Sequence, residues 1–173
     1  MQKKGRVASV ICRLFGSVIL IFVILSVLPV TLPRFMGYEI YSVASGSMEP
    51  EIPVGSIVYV KPVEDPLLIA EGEVIAFVGG NSVIMHRVIS NHQVDEYLTT
   101  KGDANEQEDI GEVRYTDVIG RVVRHLPMLG QIFMVYTSPM GKILMLCLAL
   151  SGVLLHVLAG ILDRKPRADH TNT

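Results

Sequence analysis

The chain has no tryptophan, only two cysteines and an aromatic content of 6% in 173 residues, yet half of it is hydrophobic. So aliphatic a composition suits a small β-domain carrying lipid-facing helices better than an ordinary soluble enzyme. Cys12 and Cys147 both fall in apolar stretches and the polar middle has none. That distribution excludes a disulfide-stapled domain and a zinc site built on thiolates, and each thiol reads as buried and inert. A basic stripe is missing too. From Arg34 to Gln131 seven Lys/Arg stand against fifteen Asp/Glu, a charge of −8 in a chain whose total is −2. Nothing there could displace counterions from phosphates, so a nucleic-acid partner is excluded. There is no internal repeat and no low-complexity tract.

What is present begins with two uncharged apolar runs. Leu14 to Leu32 is long enough to cross a hydrocarbon core of about 30 Å at about 1.5 Å per residue. It follows the basic residues Lys3, Lys4, Arg6 and Arg13, as a cleavable signal peptide would. Its length, and an end (Val27-Leu28-Pro29-Val30-Thr31-Leu32-Pro33) without a small-x-small site, make it an anchor instead. The second run, 143–162, has His156 as its one titratable group and is followed by Arg164, Lys165 and Arg167. His156 reads as a packed or interfacial side chain. Basic residues at both outer ends predict cytoplasmic termini and an acidic middle outside, with Lys142 as a contrary charge. The predicted organisation is a cytoplasmic N-terminus at 1–13, spans at 14–32 and 143–162, an extracytoplasmic domain at 33–142 and a short polar cytoplasmic tail at 163–173.

The middle segment reads as strands and turns. β-rich runs occur at 39–43, 56–60, 73–78, 82–88, 97–101 and 118–123, with Gly79-Gly80-Asn81 as a hairpin turn and Pro50, Pro53, Pro62 and Pro66 as breaks. No helix-period stretch of useful length is read there. The fold class is mainly β, about six strands flanked by N- and C-terminal transmembrane helices.

Ser47 follows a strand and Gly46 and precedes Met48-Glu49-Pro50, a strand-to-loop transition that can expose a hydroxyl. A serine needs a base to attack, and a Ser-Gly-Ser by itself is ordinarily a turn. Strand alternation sets His86 on one face with Ile84 and Val88, and Met85 and Arg87 on the other. Burial keeps such an imidazole neutral, as a general base requires. His92 reads as a loop residue and His125 as a strand-end residue. A metal held by His86, His92 and a carboxylate lacks a shared face. Asp103 and Asp109 follow the strand ending at Lys101, and spacing leaves open which of them orients His86. Glu106 and Glu108 read as solvated, and Asp103 could equally form a turn with its own backbone.

These words stand in a familiar order. Ser45-Gly46-Ser47-Met48-Glu49-Pro50 resembles the serine box of the type I signal peptidases. Gly72-Glu73-Val74-Ile75-Ala76-Phe77 resembles their next strand box, His86-Arg87-Val88 the general-base box, and Lys101-Gly102-Asp103-Ala104-Asn105 through Asp109 the acidic box. A histidine in the third box is similar to the endoplasmic-reticulum-type branch, also found in archaea and spore-forming bacteria, where the housekeeping bacterial branch has lysine. The resemblance implies a β-rich catalytic domain with an extended groove beside the membrane. It implies Ser47 as nucleophile, His86 as general base, Asp109 as the carboxylate orienting His86, Asp103 as important to the same loop, and Ser45 with the Ser47 N–H as oxyanion donors. The expected partners are signal-peptide-bearing precursors, the lipid bilayer and the export machinery, in the cytoplasmic membrane, with no cofactor and no metal. Met48 could form an apolar lip at the interface or belong to the core. A rival of another class is a non-catalytic membrane-anchored β-module acting as an adaptor in protein export. A self-cleaving peptidase with a lysine base is a weaker one, because none of Lys61, Lys101 and Lys142 occupies the base position.

Overall fold

The computed structural model describes residues 2–163. Met1 and residues 164–173, which hold the Arg164, Lys165 and Arg167 flank and the polar tail, lie outside the described residues. The chain forms two compact units, a helical one within Met1–Leu28 and Tyr136–Thr173 and a β-rich one at Pro29–Val135.

The β-rich unit is one antiparallel sheet of seven strands, β1 (Glu39–Ser42), β2 (Ile57–Pro62), β3 (Val74–Gly79), β4 (Ser82–His92), β5 (Tyr97–Lys101), β6 (Val113–Arg114) and β7 (Val118–Leu126), in the order β1-β2-β7-β3-β4-β5-β6. Alternation builds its core. Ile75 and Phe77 of β3 join Val88, Leu98 and Val113 on one side, while Ala76 turns to the other side with Met48, Ile52, Val58 and Val60. On β2, Ile57 and Tyr59 point away from Val58 and Val60 into a third cluster with Val30, Ile40 and Phe133. Met48 is 2% exposed, so it is a core residue and not an interfacial lip.

The β3–β4 connection is a two-residue hairpin, with Gly79 opposite Ser82 and Gly80 at φ +62°, a backbone that glycine adopts without steric cost. The structure departs from the sequence reading at several elements. β4 runs on across an irregularity between Val88 and Ser90, so His92 is a strand residue paired with Tyr97 rather than a loop residue. A seventh strand, β6, is two residues long and carries little pattern to read. An eight-residue helix, α2 (Gly130–Thr137), crosses the segment expected to lack helix, being shorter than the window in which a 3.6 period shows. Helix α1 (Gln2–Phe35) extends past both ends of the expected span and contains Pro29 and Pro33. Proline at 33 leaves the carbonyl of Pro29 without its helical donor, and the Tyr59 hydroxyl donates to that oxygen at 3.0 Å.

In the helical unit, α1 and α3 (Pro139–Asp163) are each long and apolar enough to cross a membrane. They touch through small residues. A Cβ on Gly16 would lie 2.9 Å from the Gly152 carbonyl oxygen, and one on Gly152 2.9 Å from Leu20. Ser17 Oγ sits 3.3 Å from His156 Nε2, although His156 stays exposed. Asp163 accepts from Ser9 and Arg13, at 2.5 Å each. Neither cysteine is buried: Cys12 is half-buried and Cys147 exposed, on helices whose exposed residues are mostly apolar.

Candidate active site

His86 is held from behind. The residue is 8% exposed on β4, the fifth of the seven strands in spatial order, and Phe77 meets its ring edge-on at 6.3 Å between centroids. The Asp109 carboxylate lies 2.5 Å from Nδ1, and the same oxygen accepts from the Thr100 hydroxyl at 2.6 Å. A proton on Nδ1 donated to Asp109 leaves the lone pair on Nε2 facing away from the carboxylate.

Nε2 faces Gly102. A Cβ at that glycine would stand 3.1 Å from Nε2 and 2.6 Å from the carbonyl oxygen of Ser47. Imidazole and Ser47 therefore converge on one glycine, and only the absence of a side chain there lets them approach. Ser47 is tied to the same loop by the Ala104 N–H, which donates to its carbonyl at 2.9 Å. The loop is closed by bonds from Asn105 N–H to Gly102 and from Asp109 N–H to Thr100. Ser45 Oγ lies 3.5 Å from Ser47 Oγ, so the two hydroxyls share one side of the site.

Asp103 does something else. Its two oxygens accept from Arg87 Nε at 2.8 Å and Nη2 at 2.6 Å, while Arg87 Nη1 donates to the Gly72 carbonyl at 2.7 Å. The Asp103 hydrogen bonds push the Arg87 pKa further above its already high value, with partial burial working against them. Asp103 is thus neither bonded to its own turn nor in contact with His86, and the two aspartates grip neighbouring residues of β4. Glu106 and Glu108 are exposed. His92 bonds Ser90 and Thr99 and stacks on Tyr97 at 4.2 Å, and His125 pairs with Val58. No group of His, Cys, Asp and Glu able to hold a metal ion occurs among the described residues.

Two residues of the site escaped the sequence reading. Thr100 shares the inward face of β5 with Leu98, and a buried hydroxyl on an apolar face demands a partner, which is the signal that could have found it. Gly102 carries no such signal, because a close approach of two distant segments is invisible before folding.

Beside Ser47 lies a cleft of about 280 Å³, walled by the segment Ser42–Ser47 on one side and by Ser82–Met85 on the other. β5 pairs with β4 only from Arg87 onward, so the first half of β4 presents its outer backbone edge to this cleft.

Known proteins resemble this chain over about half of its length. A stretch of 84 residues is 38% identical to Signal peptidase I W of Bacillus subtilis, covering 47% of this chain and 44% of that protein. Signal peptidase complex catalytic subunit SEC11 of Debaryomyces hansenii is 32% identical over 107 residues, 56% of this chain and 64% of that one. SEC11C of Homo sapiens is 38% identical over 103 residues, 52% and 53%. Its curated homologues are signal peptidases. The chain spans between 44% and 64% of the length of these signal-peptidase relatives. No protein-family model matches it.

Proposed function

We propose that this chain is a membrane-anchored serine endopeptidase that removes signal peptides from exported precursors. The observation that carries the proposal is the convergence of Ser47 and His86 Nε2 on Gly102, with Asp109 behind the ring. The names of the relatives supply the substrate class.

In this reading a precursor lies extended in the Ser47 cleft and adds itself to the open edge of β4, where backbone pairing holds any sequence with small side chains facing the site. Ser47 Oγ attacks the scissile carbonyl carbon while its proton passes to His86 Nε2. The Ser47 N–H and the Ser45 hydroxyl face the developing oxyanion. Collapse breaks the C–N bond, and His86 returns the proton to the departing amine. Water then hydrolyses the acyl-enzyme with His86 again as base, a role worth about 10²- to 10⁴-fold. Asp109 fixes the ring and stabilises its charged form, and Thr100 fixes Asp109. The acidic domain faces the outside of the cytoplasmic membrane, consistent with the basic residues beyond the outer ends of both spans.

The test is processing of a reporter precursor in membranes. Ser47→Ala and His86→Ala each abolish cleavage while the protein stays inserted, and a fluorophosphonate or lipopeptide trap labels Ser47 in the parent. Asp109→Asn loses more activity than Asp103→Asn. Cleavage retained in both alanine variants ends the Ser/His assignment, and failure to label Ser47 favours the adaptor reading.

A further inference from the structure

A second and larger cleft, open and of about 950 Å³, borders the site. Phe77, Ile84 and Val113 contribute apolar walls, and His86 itself is part of its lining. Ile84 lines both this cleft and the one beside Ser47, so the two meet at the free half of β4. One cleft thus adjoins the nucleophile and the other the base.

That division has a chemical consequence. The acyl half of a substrate becomes bonded to Ser47, whereas the other half leaves as an amine that receives its proton from His86. The chain that continues from this nitrogen starts at His86. We infer that the larger cleft receives the segment following the cut, the start of the mature protein, and that it reads this segment by charge. Among the residues lining the cleft are Glu106, Glu108, Glu112 and Asp117, together with Asp109, and no Lys or Arg. Asp109 is engaged by His86 and Thr100, but Glu106, Glu108 and Glu112 are exposed at the rim. Carboxylates lining the cleft disfavour acidic residues in an extended peptide there and favour basic ones, by an attraction that salt screens. The inference rests on the peptidase reading and adds to it a preference on the departing side.

The experiment uses full-length enzyme in phospholipid vesicles. Its substrates are one reporter precursor in three versions, identical up to the cut and carrying Lys, Gln or Asp at the third and fifth positions after it. The expected order of kcat/KM is Lys above Gln above Asp, about three- to tenfold between the extremes at low salt and compressed at high salt. In the Glu106→Lys/Glu108→Lys double variant the Lys-to-Asp ratio of kcat/KM collapses towards one, because only Asp109, Glu112 and Asp117 still oppose the two new cations. Equal rates for all three versions, or a Lys-to-Asp ratio unchanged by the double variant, overturn the inference while leaving the peptidase reading intact. Absence of cleavage of every version overturns the reading of the site, and this inference with it.

Discussion

In the proposed mechanism much hangs on Thr100, a residue that would never touch substrate. Its hydroxyl is the second donor to the Asp109 oxygen that faces His86, and it is fully buried. Thr100→Val keeps the shape and removes the donor, so kcat falls on the order of tenfold with KM and thermal midpoint nearly unchanged. Gly102→Ala acts differently: its methyl group meets a backbone carbonyl at 2.6 Å, which no rotamer change relieves, and processing is lost while the sheet persists. Steady-state kinetics beside thermal unfolding of both variants separate these outcomes, and wild-type kcat in either would remove that residue from the argument. At this scale the sequence was legible where chemistry marks a residue type. Ser47, His86 and the two aspartates could be picked out by their words. What Asp103 binds could not, because strand alternation showed only that Arg87 points away from His86, and not which loop carboxylate waits there.

Among the elements, the strands were read from β-branched runs with errors of a few residues, and the misses have physical causes. A two-residue strand has no period, an eight-residue helix has barely two turns, and β4 continues through an irregularity that breaks its alternation. The helix pair was visible as two apolar runs, but its packing was not. Gly16, Gly152 and Ser17 look like helix-weakening residues in sequence, whereas in the folded unit they are where the two backbones come together and where His156 finds its partner. Gly16→Leu therefore pries α1 from α3. Cysteine cross-linking between the outer turns, in a background in which Cys12 and Cys147 are replaced by alanine, falls at least severalfold in that variant. Cross-linking at the parental yield would show that the close contact is dispensable.

For the whole molecule, the proposed function makes anchoring matter through concentration. An enzyme and a substrate confined to one membrane search an area, so their encounter rate depends on how much lipid or detergent they share rather than on total volume. Diluting a fixed amount of enzyme and precursor into more micelles should lower the rate of processing in proportion to the added detergent, whereas diluting with buffer at constant detergent-to-protein ratio should do so far less. A rate indifferent to detergent would mean that the apolar helices α1 and α3 do not serve to bring substrate in.

The two carboxylates of the acidic loop take hold of consecutive residues of β4 from opposite faces of the strand, Asp103 on Arg87 and Asp109 on His86. The loop between them is therefore a bridge over the strand's open edge, and its length is fixed by what it must straddle. Shortening it by a single residue would leave one hand empty, loosening either the arginine or the imidazole. Exchanging its exposed residues, Glu106 and Glu108 among them, leaves both grips closed. Such a loop is free to change its surface chemistry but not its reach, so under the proposed function substrate preference can drift there while His86 and Arg87 stay gripped.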